Sequence, residues 1–295
     1  MQLTGVWLPI VTPFKNDKID YVSYKRLIEY YSDKGISGFI PLGTTGEVPT
    51  LSDYEFEEMI EKTMEYNKRR LPVYIGIGGN HTAQVIKKVK IAEYYDIQGI
   101  LSVCPYYNKP NQEGIYSHFK AIAEETPLGI VIYNIPYRTG VNVENETIYR
   151  MAEIKNIIGV KDCCGDIKQS MSLMLNPPKD FSILTGEDIL FYLSLTLGAQ
   201  GGILASAHVK TEQFVEVYQK VKANDTAGAL TIWKQLHEFI PLLFKEPNPA
   251  PVKYYLQECG LIDSAEVRLP LTQISDTLKA KLDSLLPKTP REKAS

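Results

Sequence analysis

The stretch Ile157-Ile158-Gly159-Val160-Lys161, written IIGVK, decides how the rest of the chain is read. Four residues suited to a buried strand run straight into a lysine, a side chain seldom buried without a partner. Such a lysine is either paired with a carboxylate, for which Asp162 and Glu187 are the candidates, or aimed into the mouth of a cavity. The strands around it decide which end of the fold it occupies.

Seven further short apolar, β-branched runs share its character: 6–11, 37–43, 72–78, 99–103, 129–134, 182–186 and 201–206. They are nearly continuous in apolar residues rather than alternating, as expected of parallel strands covered by helices. Amphipathic segments lie between them. In LSDYEFEEMIEKTMEYNK, Ser52 and Glu55 stand at capping-box spacing ahead of Phe56, Met59, Ile60 and Thr63/Met64 on one face. Eight strands alternating with eight helices at a spacing of roughly 25–30 residues fit an α/β (β/α)8 TIM barrel. A doubly wound open sheet is the rival, but GIGGNH has His81 where a dinucleotide fingerprint needs its third glycine. The strand signal stops near residue 224. Residues 1–224 are therefore read as the barrel carrying the active site, and 225–295 as a C-terminal helical region ending in a polar, frayed tail, PKTPREKAS.

Composition narrows the function. The 295 residues are 44% hydrophobic and 23% charged with a formal charge of −3, ordinary for a globular enzyme and unlike a nucleic-acid-binding surface. No apolar run approaches the roughly 20 residues of a membrane span. The start shows no signal-peptide pattern, so a cytoplasmic enzyme is expected. The cysteines at 104, 163, 164 and 259 and the histidines at 81, 118, 208 and 237 show no metal-ligand spacing, and no metal or other cofactor is expected.

In a barrel of this kind, chemistry collects at the C-terminal ends of the strands. Here those ends carry Gly43-Thr44-Thr45-Gly46-Glu47, Tyr106-Tyr107-Asn108, Tyr133 running on to Arg138, Lys161, Gly186 and Ser206. A free lysine is only about 0.04% neutral at pH 7. Burial at a strand end lowers its pKa and makes attack on a carbonyl feasible, giving a Schiff base. The Thr44-Thr45 turn offers hydroxyls and backbone N–H groups to a carboxylate or phosphate. Tyr133 is able to relay protons, and Arg138 to fork onto a second carboxylate. Each signal also has an ordinary explanation, as a turn, a packing tyrosine or a solvated arginine. Their shared location is what counts.

GTTGE at 43–47, YYNKPNQEGIYSHFKAIA at 106–123, YNIPYRTG at 133–140, IIGVK at 157–161, EPNPAPVK at 246–253 and VRLP at 267–270 together resemble the dihydrodipicolinate synthase family of the N-acetylneuraminate lyase superfamily. The likeness runs from about Gly5 to about Pro270. It implies a pyruvate-dependent class I aldolase mechanism in which Lys161 forms the Schiff base and Thr44 and Thr45 hold the pyruvate carboxylate. Tyr133, Thr44 and Tyr107 form the proton relay, Tyr107 reaching in from a neighbouring subunit. Arg138 binds the carboxylate of L-aspartate 4-semialdehyde, and the backbones at Gly186 and Ile203 shape the site. The implied product is 4-hydroxy-tetrahydrodipicolinate, on the way to diaminopimelate and lysine, and the implied assembly is a homotetramer, a dimer of dimers.

Two departures from the family pattern stand out. Asp162-Cys163-Cys164-Gly165 replaces the usual Glu-Ala-Ser/Thr-Gly after the lysine. At the implied effector site, Asn80 and Tyr106 match lysine-regulated members, but Phe56 replaces a histidine and Gln84 a glutamate, so weak or absent lysine inhibition is expected. Two alternatives share much of this pattern: a pyruvate aldolase or dehydratase acting on a sialic acid or 2-keto-3-deoxy sugar acid, and a catalytically silent relative that binds a keto acid. Arg138 and NPAPVK favour the synthase, since a sugar chain calls for hydroxyl partners rather than a guanidinium.

Overall fold

The computed structural model describes residues 3–286. The tail 287–295, read from sequence as frayed, lies outside the described residues. In chain order the strands are β1 Gly5–Leu8, β2 Phe14–Lys15, β3 Lys18–Ile19, β4 Gly38–Phe39, β5 Tyr74–Gly76, β6 Gly99–Val103, β7 Gly129–Asn134, β8 Ile157–Asp162, β9 Ser182–Thr185 and β10 Gly201–Ile203. The chain forms two compact units. The first holds residues up to Trp7, Ser37–Ile40 and Pro72–Leu204; the second holds Leu8–Ile36, Pro41–Leu71 and the residues from Ala205 on.

The first unit is built on one eight-stranded sheet in the order β4-β1-β10-β9-β8-β7-β6-β5. Its ends meet: Phe39 after β4 forms a parallel bridge with Val73 before β5, and the Phe39 N–H donates to Pro72 O at 3.0 Å. The sheet is thus the barrel of a (β/α)8 fold, and the eight apolar runs read from sequence all fall on its strands. Burial explains their composition, since β7 and β8 are buried at five of six positions each. The helix Gln112–Glu124 shows how the outer layer forms. Asn111 caps it by accepting from the Gly114 N–H at 2.9 Å, and Ile115, His118, Phe119, Ile122 and Ala123 make its buried stripe. Inside the barrel Leu3, Trp7, Tyr74, Leu101, Val131, Tyr133, Leu184 and Ile203 share one apolar cluster.

Several strands are shorter than the sequence suggests: the run 6–11 is strand only as far as Leu8, and 72–78 only at Tyr74–Gly76. The run 37–43 is strand only at Gly38–Phe39, because Leu42 takes a left-handed φ of 61° that no strand tolerates. The run 201–206 stops at Ile203 and turns into the 3-10 helix Ala205–His208.

The second unit is mainly helical, with helices Tyr21–Ser32, Asp53–Asn67, Thr211–Lys222, Thr226–Leu243, Ala250–Glu258 and Asp276–Asp283. The capping box forms at Ser52 and Glu55, and Phe56, Met59, Ile60 and Thr63 make the buried face. The hairpin β2–β3 belongs here as well. Among the described residues no helix is long and apolar enough to cross a membrane.

Candidate active site

Lys161 is the fifth residue of β8, opposite Tyr133 on β7 and Leu184 on β9. It is 7% exposed, and its Nζ lies 4.3 Å from the centre of the Tyr133 ring. Burial lowers its pKa from the ordinary lysine value; Asp188 and Glu187 oppose that shift and Arg138 adds to it. Asp162, one candidate partner for the lysine, turns elsewhere. Its Oδ2 accepts from Ser170 Oγ at 2.5 Å and its Oδ1 from the Cys164 N–H at 3.1 Å. A buried lysine beside an aromatic ring, its neighbouring carboxylate otherwise engaged, is suited to nucleophilic work.

The lysine's path requires a glycine. A Cβ at Gly186 would stand 2.3 Å from Lys161 Cε and 2.4 Å from Cys163 Sγ, so any other residue would displace these side chains. Cys163 is 1% exposed and belongs to the barrel's apolar cluster, as does Ile203. Burial raises the Cys163 thiol well above its usual range, so it is a neutral packing group.

Arg138 sits in the short helix Pro136–Thr139 that follows β7, and its side chain is exposed. Tyr107 is 89% exposed on the loop after β6 and holds a left-handed φ of 74°. The first unit thus brings Lys161, Tyr133 and Gly186 together and leaves Tyr107 projecting into solvent. Of the effector-site candidates, Asn80, Gln84 and Tyr106 lie at least partly exposed in the first unit, whereas Phe56 is 2% exposed inside the helix core of the second.

The second unit carries the GTTGE loop. Gly46 N–H donates to Gly43 O at 3.1 Å and Glu47 N–H to Thr44 O at 3.1 Å, closing a tight turn. Thr12 Oγ1 donates to Gly46 O at 2.7 Å, and Asn248 Nδ2 donates to Thr45 Oγ1 at 2.9 Å. Glu47 forms a buried ion pair with Lys253, and its Oε2 accepts from the Arg268 N–H at 3.1 Å. Among the described residues no group of three or more His, Cys, Asp or Glu side chains is arranged to hold a metal ion.

The model of the dihydrodipicolinate synthetase family matches residues 2–289. The chain belongs to the dihydrodipicolinate synthetase family. A relative from Clostridium acetobutylicum, 4-hydroxy-tetrahydrodipicolinate synthase 2, is 58% identical over 286 residues, which is 97% of this chain and all of the relative. Among solved structures, a chloride-inhibited dihydrodipicolinate synthase from Acinetobacter baumannii in complex with pyruvate superposes with a TM-score of 0.92 at 37% identity, covering 95% of this chain and 97% of that one. A family member from Cyanidioschyzon merolae with lysine bound gives a TM-score of 0.91 at 32% identity, covering 95% and 96%.

Sequence reasoning gave no role to Asn248, Lys253 or Arg268, although EPNPAPVK and VRLP were among the matching motifs. A polar residue fixed between Pro247 and Pro249, and a lysine flanked by Pro251-Val252 and Tyr254-Tyr255-Leu256, were the available signals. Asp188 was also missed: it is 4% exposed and bears on Lys161 electrostatically.

Proposed function

We propose that this member of the dihydrodipicolinate synthetase family condenses pyruvate with L-aspartate 4-semialdehyde to 4-hydroxy-tetrahydrodipicolinate. The observation that carries the reading is the buried, pKa-lowered Lys161 against the Tyr133 ring. Neutral Nζ attacks the C2 carbonyl of pyruvate and water leaves, giving an imine. Loss of a C3 proton converts the imine to an enamine, whose C3 bonds to the aldehyde carbon of the second substrate. That substrate's amino group then displaces Lys161 from C2, closing the ring and releasing the enzyme. One water is lost overall, and no oxidant or cofactor is called for.

Thr44 and Thr45 hold the pyruvate carboxylate in this reading, and Tyr133, Thr44 and Tyr107 pass the protons. Arg138 takes the carboxylate of the second substrate, a role suited to an exposed guanidinium beside the strand ends. The backbones at Gly186 and Ile203 bound the site. Tyr107 serves a neighbouring subunit in a homotetramer, which gives its solvent-facing side chain a purpose, and the enzyme works in the cytoplasm. Residues 1–224 carry the site and 225–295 support it.

The test supplies pyruvate and L-aspartate 4-semialdehyde, couples the product to the downstream reductase and follows NADPH loss. Consumption that needs this chain and both substrates is the expected result. No consumption, with the reductase shown to be active, overturns the proposal.

A further inference from the structure

We infer that Asn248 is a positioning residue that fixes the polarity of the Thr45 hydroxyl, so that Thr45 meets an anionic substrate group as a hydrogen-bond donor. The inference rests on the reading of Thr45 as a carboxylate-binding residue. It concerns a residue outside the GTTGE loop to which no step of the reaction has been given.

A threonine hydroxyl has one proton to give and lone pairs to accept with, and its rotor is otherwise free to turn. At Thr45 that freedom is removed. The side chain is 4% exposed, and Asn248 Nδ2 donates to its Oγ1 at 2.9 Å. With an amide N–H in the acceptor position, the hydroxyl proton points away from Asn248 and is available to a carboxylate. An acceptor at position 248 would draw that proton in and turn a lone pair toward the substrate.

The amide has little else to do. Asn248 is itself 8% exposed, and its buried Oδ1 has no hydrogen-bond partner among the described residues. A residue retained to brace the chain would be expected to satisfy both ends of its amide, because a sealed, unmet carbonyl costs about 1–3 kcal/mol. Among the described residues the amide's hydrogen bond goes to Thr45. The loop that presents Thr45 is also held hard in place. Leu42 and Glu47 have left-handed φ values of 61° and 54°, and a Cβ at Gly46 would meet Leu42 N at 2.9 Å. Thr12, Lys253 and Arg268 fix Gly46 and Glu47 around this turn. The backbone is thereby set, and Asn248 sets the remaining rotor.

The experiment compares Asn248→Asp, Asn248→Ala, Thr45→Val and the double variant Asn248→Asp/Thr45→Val for pyruvate KM, kcat, borohydride trapping of pyruvate and melting temperature. Asn248→Asp presents acceptors in nearly the same shape and is expected to raise the pyruvate KM by about tenfold or more, whereas Asn248→Ala, which only frees the rotor, raises it less. With no hydroxyl left to orient, the aspartate is expected to add less than about twofold to the effect of Thr45→Val. If Thr45→Val raises the pyruvate KM but Asn248→Asp does not, or if the two effects multiply, the inference is overturned while the role of Thr45 stands. If Thr45→Val leaves the KM unchanged, the carboxylate-binding reading itself fails. Should Asn248→Asp not fold, Asn248→Ala decides: an unchanged pyruvate KM in that variant overturns the inference.

Discussion

Lys253 and Glu47 form an ion pair in which both side chains are sealed from solvent. The Lys253 Nζ also donates to Glu266 O at 2.8 Å and lies 4.2 Å from the centre of the Phe14 ring. Burial lowers its pKa to about 8, with Glu47 and Glu266 holding it up against that. Removing one partner of such a pair strands the other charge, which costs about 3–5 kcal/mol, whereas replacing both is far milder. Lys253→Met is therefore expected to destabilise the chain by about that amount, and Lys253→Met/Glu47→Gln by clearly less. Urea unfolding of the two variants checks this. A single variant within about 1 kcal/mol of the parent would show that the pair is dispensable.

Lys161 is expected to react through its neutral form. Because its pKa lies below the ordinary value of 10.5, the fraction able to attack pyruvate rises with pH through a midpoint lower than that of a free lysine. Pre-steady-state imine formation, trapped with borohydride across a pH series, should show this midpoint, and Lys161→Ala should show no trapping at all. A midpoint at the free-lysine value would remove burial as the activating cause.

Ser170 holds the buried carboxylate that follows the lysine. Burial raises the Asp162 pKa above 3.8, and the hydrogen bond from Ser170 is the first influence opposing it. Ser170→Ala leaves Oδ2 without that donor and is expected to cost about 1–3 kcal/mol. The sign follows from linkage: a folded pKa raised further means that more stability is lost as pH climbs through the window above 3.8. The penalty should therefore be smallest in acid and full at neutral pH. Thermal melts of parent and variant at both ends of that range decide, and a penalty independent of pH would mean that Ser170 acts by packing alone.

How far the fold could be read depended on how local its determinants are. All eight barrel strands were legible because each is a nearly continuous apolar run, and the Ser52–Glu55 cap because its residues are neighbours in sequence. The hairpin β2–β3 was not read, since two-residue strands have no periodicity. Its one signal was the pair Asn16-Asp17, both with left-handed φ, as a two-residue hairpin loop demands. Lys161 stood out because a charge ends an apolar strand. Lys253, Asn248 and Arg268 did not, because their meaning lies in contacts with Glu47, Thr45 and Glu55 that only folding creates. Arg268 illustrates the point: its two hydrogen bonds pull the Glu55 carboxyl down to about 2, and nothing near either residue in sequence announces it.

Lysine is expected to inhibit weakly or not at all. Gln84 is exposed and has no charge to meet an ammonium group, and Phe56 is buried on the inner face of its helix. Restoring the carboxylate with Gln84→Glu should increase sensitivity, because an ammonium ion gains a charge-assisted partner. Half-inhibition of the parent well below millimolar lysine would contradict the expectation.

Tyr107 gives the assembly prediction its sharpest form. A tyrosine that is 89% exposed and held at a left-handed φ of 74° carries a backbone cost while its side chain faces solvent. If it completes the proton relay of a neighbouring subunit, Tyr107→Phe should lower kcat by about tenfold or more while leaving pyruvate trapping on Lys161 nearly intact. The decisive measurement mixes two impaired variants, Tyr107→Phe and Lys161→Ala, and lets their subunits exchange. A mixed pair contains one site with Lys161 from one chain and Tyr107 from the other, so activity should return above that of either variant alone. A relay confined within each chain allows no such rescue, because every site would still lack one of the two groups.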